Sequence, residues 1–350
     1  MQTKKRTFKD IFENVNIPEE MPFDEREKIL KPMFEFTQKI TPSKLFRYRE
    51  CGEIQFEAFD KDKIFAVNAK MFNDPYDCLP RYDKKLLYDS IKMATSKDFL
   101  KQFRDALNAG MPMPEIFVSL YGEEKAKQIQ EFIQKATDDD IDKNYSIYAG
   151  IKPEDFLKRV DVILEDAESF LRRRTFIACF SETVKSVTMW SHYANSHKGF
   201  VLEYDLRNIV TKCTSCEKND CDDRMFYSLY PIIYDRKRYD ATAFMEIFLA
   251  RQLGVNAKVP DVMFFNKGAL YKSPQWKYEK EWRLFLDKKN SVYSQCLDIE
   301  VKPQAIYYGK DISEINKKIL SEMAKKKGII EYQMYIDIQS EKYDIKYRRV

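Results

Sequence analysis

The chain has 350 residues, 44% of them apolar and 14% aromatic, enough for one large core or two ordinary ones. Its charges nearly cancel, at +4 overall, so net charge alone does not argue for a nucleic-acid partner. Nine glycines and no biased tract argue against a linker-rich or repetitive architecture, and no apolar run approaches the roughly 20 residues of a membrane span. Seven cysteines, with no apolar leader after Met1, lead us to expect reduced thiols in the cytoplasm.

Residues 1–44, with mixed charge and prolines at 18, 22 and 32, are expected to lie at the periphery. Leu45–Arg49 reads as a short strand carrying two arginines, 56–63 as a turn or short helix, and Ile64–Asn68 as a second strand. Met71–Asp77 is dense in residues that fix turns by bonding their own backbone. Apolar residues at three- and four-residue spacing predict helices over 84–108, 114–136 and 153–174, which makes 84–172 a helical insertion. Asp138–Asp140 reads as a solvated turn within it.

The stretch Trp190-Ser-His-Tyr-Ala-Asn-Ser-His-Lys-Gly199 holds both histidines of the chain, His192 and His197. It lies between an apolar run, Phe176–Phe180, and an alternating one, Phe200–Tyr204, so we expect strand, short helix and strand, with the histidines on the helix and its exit turn. Imidazole titrates nearest neutral pH, which makes it a usual proton donor, acceptor or ligand; a satisfied structural group is the competing reading. Cys213, Cys216 and Cys221 have a C-x2-C-x4-C spacing, but no fourth Cys or His lies nearby to complete a zinc site, and a solvent-facing loop is the default. Further on we expect a strand over 230–235 and a helix over 241–253. In the second half of 270–286 we expect a strand with Glu279, Glu281 and Arg283 on one face and Lys280, Trp282 and Leu284 on the other. Strands at 297–301 and 305–308, a helix over 312–326, and strands over 332–338 and 343–347 close the chain. The fold class is mixed α+β: a twisted, mostly antiparallel sheet in a single domain, 45–350, with helices inserted.

Strand ends in such folds gather ligands. The candidate catalytic residues are Glu281, Glu279 and His192. Candidate ligand contacts are Arg47, Tyr48, Asn73, Asp74, Asp77, Ser181, Trp190, Tyr193, His197, Lys272, Trp276 and Arg283. Arginine grips phosphate as a fork, and a carboxylate can hold a ribose hydroxyl or stabilise an oxocarbenium-like centre.

The motifs Leu45-Phe-Arg-Tyr-Arg49, Phe72-Asn-Asp-Pro-Tyr-Asp77, Cys179-Phe-Ser181, Met189-Trp-Ser-His-Tyr-Ala194 with His197-Lys-Gly199, and Trp276-x-x-Glu279-x-Glu281-Trp-Arg283 together resemble a large bacterial family. That family is catalogued as a domain of unknown function and is often found with mobile or phage-defence loci. Part of the layout is similar to ADP-ribosyltransferases, including the toxin type that modifies DNA bases. The resemblance implies NAD as substrate, Arg47 at its phosphates or ribose, and Ser181 or Thr183 in the middle position. It further implies Glu281 as the catalytic carboxylate, Glu279 orienting an acceptor, a nucleic acid or protein as that acceptor, and an antitoxin or defence partner. Two other functions remain open. One is a nuclease or phosphodiesterase using His192 and His197 as acid and base, or as metal ligands with Asp74 and Asp77. The other is a non-catalytic sensor of a nucleotide or phage protein.

Overall fold

The computed structural model describes all residues except 1–5, 19, 95, 115–117, 119–121, 149–152, 210–224, 253–260, 289–293 and 295. The chain begins with helices α1 (Phe8–Phe12) and α2 (Phe23–Ile40), then strand β1 (Leu45–Arg49), α3 (Glu53–Asp60) and β2 (Lys63–Asn68). The interval read as helical carries α4 (Lys84–Ala94), α5 (Lys97–Asn108), α6 (Glu123–Gln134), α7 (Asp138–Tyr148) and α8 (Pro153–Arg174). Next come β3 (Phe176–Ser181), α9 (Val187–Tyr193), β4 (Phe200–Tyr204), β5 (Met225–Pro231), β6 (Ile233–Tyr234), α10 (Thr242–Gln252) and α11 (Phe264–Gly268). The remainder is β7 (Tyr271–Lys272), β8 (Glu281–Lys288), β9 (Cys296–Glu300), β10 (Ala305–Tyr308), α12 (Glu314–Lys327), β11 (Ile330–Ile336) and β12 (Ile345–Arg349).

Among the described residues ten strands form one mostly antiparallel sheet, as the alternation predicts, and within it only β10 and β11 pair in parallel. It branches at β3. One edge of β3 pairs with β8 along its whole length, from Phe176↔Leu286 to Ser181↔Glu281. The other edge is shared: β2 takes the start, through Val67↔Ile177, and β1 the end, through Phe46↔Ser181. Period-two alternation sorts the side chains by face. Phe176, Ala178, Phe180, Trp282, Leu284 and Leu286 enter one core with Leu202 and Tyr308. Ile177 and Phe285 enter a second core on the opposite face with Tyr230 and Leu270. A separate parallel pair, β6 with β7, lies beside that second face.

The segment expected at the periphery helps to build this second core. Phe8, Phe12, Val15 and Ile17 are buried there, and Phe8 stacks against Tyr230 with ring centroids 5.8 Å apart. The i, i+4 spacing of Phe8 and Phe12 puts both rings on one side of α1, where β5 supplies a partner that local spacing cannot reveal. Asp138–Asp140 is likewise not a turn but the first turn of α7. Thr137 Oγ accepts from Asp140 N–H at 3.1 Å and the Asp140 carboxylate accepts from Thr137 N–H at 2.9 Å, a reciprocal cap. The strand expected over 230–235 splits after Pro231, since Ile232 N–H donates to Glu281 O at 2.9 Å and the chain then joins β7. Among the described residues no helix is long and apolar enough to cross a membrane.

Candidate functional site

Three connections converge where β8 begins. Ser273 caps a 3-10 turn, Pro274–Glu279, with proline in its first positions, and Lys280 ends it in the left-handed region at φ 45°. That kink, rather than strand alternation, turns both Glu279 and Glu281 toward Lys272 at the end of β7. The Lys272 ammonium donates to Glu279 Oε2 at 2.6 Å and to Glu281 Oε2 at 2.8 Å. Arg283, on the same face of β8 as Glu281, donates to Glu281 Oε1 from Nε at 2.8 Å. It also forks onto Asp77 with two 2.7 Å bonds and donates to the Ala269 carbonyl at 2.6 Å. The Asp77 loop is prefolded for this: Asp74 Oδ1 accepts from Tyr76 N–H at 2.9 Å, and Asp77 N–H donates to Asp74 O at 3.1 Å. Phe72 of the same loop lies under the Arg283 guanidinium, 5.3 Å from its ring centroid.

All five charged side chains are at most 5% exposed. Three carboxylates face two cations, so the fully ionised cluster carries one excess negative charge. Burial opposes ionisation of both glutamates, with different outcomes. At Glu281 the attraction of Arg283 and Lys272 outweighs burial and holds the carboxyl far below the usual range. At Glu279 burial dominates, the Glu281 charge adds to it, and the pKa rises. Lys272 is held firmly protonated, because Glu281, Asp77 and Glu279 together outweigh its burial.

The Tyr193 hydroxyl donates to Glu279 Oε1 at 2.6 Å and is itself bonded by the Asn73 side chain. Ser181 Oγ donates to the Glu279 carbonyl at 2.6 Å, fixing the turn against β3. The Lys272 ammonium sits 4.9 Å from the centroid of the half-buried Trp276 ring. Asn73, Asp77, Ser181, Tyr193, Lys272, Trp276, Glu279, Glu281 and Arg283 therefore meet in one place. Phe72, Cys78 and Tyr234 belong with them and were not singled out from sequence. Cys78 Sγ lies 3.3 Å from Arg283 Nη1, and the Tyr234 hydroxyl accepts from Glu281 N–H at 2.9 Å. Aromatic residues flanking a charged motif were the available signal for Phe72; Cys78 and Tyr234 gave none.

The other candidates stand apart. Arg47 opposes Leu202 in the sheet and so points into the first core, across the sheet from Arg283. There its guanidinium donates to the Phe65 carbonyl and lies 5.6 Å from the Phe180 ring centroid, filling the gap where β1 and β2 diverge. It is a structural plug and does not reach the glutamates. Tyr48 gives its hydroxyl to Thr183 O at 2.8 Å and packs edge-on against the fully buried Trp190, whose indole N–H donates to Val184 O at 2.7 Å. Asp74 is committed to its own turn.

The two histidines have separate surroundings. His192 is exposed on α9, against Tyr193. His197 lies beyond the helix, stacked on Trp190 at 6.3 Å and 3.3 Å from Ser191 Oγ through Nε2. Burial, followed by the Lys310 charge, lowers the His197 pKa and keeps the ring neutral. Asn195, Ser196 and His197 all have positive φ, at 44°, 52° and 66°. This left-handed turn closes onto Gly309: the Gly309 N–H donates to Gly199 O at 2.9 Å, and the Asp311 N–H to His197 O at 3.1 Å. As for the alternative of a metal held with Asp74 and Asp77, no group of three or more His, Cys, Asp or Glu among the described residues could hold one, and both aspartates are bonded elsewhere. The zinc question at Cys213, Cys216 and Cys221 lies outside the described residues.

Fold and site thus define a mixed α+β protein with a buried acid–base cluster at the junction of β3, β7 and β8. Residues 189–284 match a family described as protein of unknown function (DUF2971), a stretch that runs from α9 into β8 and takes in Tyr193, Lys272, both glutamates and Arg283. No curated protein and no solved structure matches the chain.

Proposed function

We propose that this protein breaks the N-glycosidic bond of a nucleotide such as NAD, as an ADP-ribosyltransferase or NAD glycohydrolase, with Glu279 as the working carboxyl group. The observation that carries the reading is that Glu279 and Glu281 share one ammonium. The two Lys272 bonds, 2.6 and 2.8 Å, sum to 5.4 Å, the most that can separate the bonded oxygens. This supports a close, electrostatically linked carboxylate pair gathered at a single site. Surroundings that drive two neighbouring pKa values apart are the usual mark of divided acid and base roles.

The resemblance assigns catalysis to Glu281, but both its oxygens are engaged by cations; its part is to fix Lys272 and β8. Glu279 keeps only a hydroxyl and a shared ammonium. As the C1′–nitrogen bond breaks with its electron pair leaving on nicotinamide, an acceptor oxygen attacks C1′ and its proton passes to Glu279. The excess negative charge of the cluster favours the positive charge that develops on the ribose. Arg47 has no part in this reading.

Incubation with NAD and chromatography of released nicotinamide tests it. Glu279→Gln should lower release about 10²–10⁴-fold, the usual worth of a general base, in protein that circular dichroism shows to be folded. No release by the native protein, or equal release by the variant, refutes it. One observation favours a second reading, a binding module without turnover: every charge in the cluster already has an ion partner and almost no exposure. Nucleotide binding by calorimetry with no nicotinamide would establish that. A toxin or phage-defence role rests on the resemblance alone.

A further inference from the structure

The surface beside the buried acidic cluster is basic and aromatic. β6 and β7 pair in parallel, with Tyr234 opposite Lys272, so the segments that follow them leave the pair side by side. After β6 comes Arg236-Lys237-Arg238; after β7 comes the turn with Trp276-Lys277-Tyr278, followed by Lys280. The exposed Tyr76 ring, from the loop that carries Asp77, sits 5.5 Å from the Arg238 guanidinium and ties a third segment to this rim. The acids in these segments are already committed. Asp235 pairs with Lys9 at 2.5 Å, Asp240 with Arg81 at 2.8 Å, Glu279 belongs to the cluster, and Asp74 caps its own turn. Arg236, Lys237, Lys277 and Lys280 are exposed and have no acidic partner among the described residues. Overall charge is nearly balanced at +4, so this is a local excess.

We propose that this rim binds a single-stranded nucleic acid, with Arg236, Lys237, Arg238 and Lys277 on the phosphates and Tyr76 and Trp276 stacking on bases. Unpaired cations interleaved with aromatic rings, here the exposed Tyr76 and the half-buried Trp276, are the arrangement that holds single strands without reading sequence. The choice deepens the proposed function, on which it rests for the meaning of the site, by naming nucleic acid as the acceptor class. It stands or falls by a separate measurement, made without NAD.

Fluorescence anisotropy of a labelled 20-nucleotide single strand against the full chain, over a salt series, is that measurement. Affinity should fall with salt, with a log–log slope of about −0.7 for each phosphate engaged. Reversing the turn (R236E, K237E and R238E together) should weaken binding at least tenfold and flatten that slope. Trp276→Ala should weaken it roughly tenfold through lost stacking. These positions are exposed or half-buried, and circular dichroism melts verify that each variant is folded. Absence of binding at low salt, undiminished binding by the folded triple variant, or capture by anionic lipid vesicles in place of the oligonucleotide each overturns the proposal. Binding without any nicotinamide release would leave this inference standing and remove only the enzymatic one.

Discussion

Replacing Arg283 with methionine removes the cation on which the cluster is built while keeping an apolar stem of similar reach. The guanidinium is fully buried and forks onto Asp77 with two 2.7 Å bonds, besides its bond to Glu281. Without it, Asp77 and Glu281, at 2% and 4% exposure, keep only Lys272, which stands 3.6 Å from Asp77. Breaking a buried pair from one side costs about 3–5 kcal/mol, because the remaining charge stays desolvated. With about 2 °C lost per kcal/mol in a chain of this size, the melting temperature should fall by roughly 6–10 °C. Urea denaturation followed by tryptophan fluorescence measures the cost directly, as a lower midpoint at constant slope. In a cycle with Asp77→Asn the double variant should recover part of the loss, because the stranded aspartate is neutralised. A loss under about 1 kcal/mol with no coupling would mean that solvent reaches these groups and that the ion pairs are of the weak, exposed kind.

Two further outcomes follow from the same geometry. The Glu279 pKa is raised above its ordinary 4.5, so its protonated form is favoured by folding; its contribution is fully present below about 4.5 and is lost as pH climbs through the raised value. Glu279→Gln should flatten this decline, and matched urea titrations of both proteins from pH 4.5 upward would expose a wrong sign as parallel curves. Gly309→Ala should lower stability by about 1–3 kcal/mol, the range of overpacking, since the added carbon would sit 2.1 Å from the His197 carbonyl oxygen; a melting temperature equal to that of the native protein would show that the turn can yield.

Much of the sheet was legible because apolar alternation is a local signal: β10 falls where expected and β9, β11 and β12 within a few residues. Glu281 and Arg283 were legible for the same reason, being two apart on one strand. Asp77 as the partner of Arg283 was not, because their contact spans 206 positions and no periodicity reports it. Arg47 misled for a definite reason. An arginine on a first strand looks alike whichever face it occupies, and only the pairing Phe46↔Ser181 sends it to the opposite side from the glutamates. The histidines drew attention by rarity, whereas the link between that stretch and the cluster is Tyr193, one of 22 tyrosines. The three left-handed residues after α9 carry no glycine among them, so the turn that separates His197 from His192 has no signature in the sequence.

That turn also sets an order on assembly. Its carbonyls are secured by backbone donors at Gly309 and Asp311, more than a hundred residues downstream. During synthesis the helix bearing Tyr193 can coil early and its exit can settle against the end of the first strand, just past which Cys51 Sγ donates to Lys198 O at 3.5 Å. Two of the carbonyls at that exit nevertheless wait for the tenth strand and the turn beyond it, so the last brace behind Tyr193 is set only when the C-terminal part of the sheet is in place.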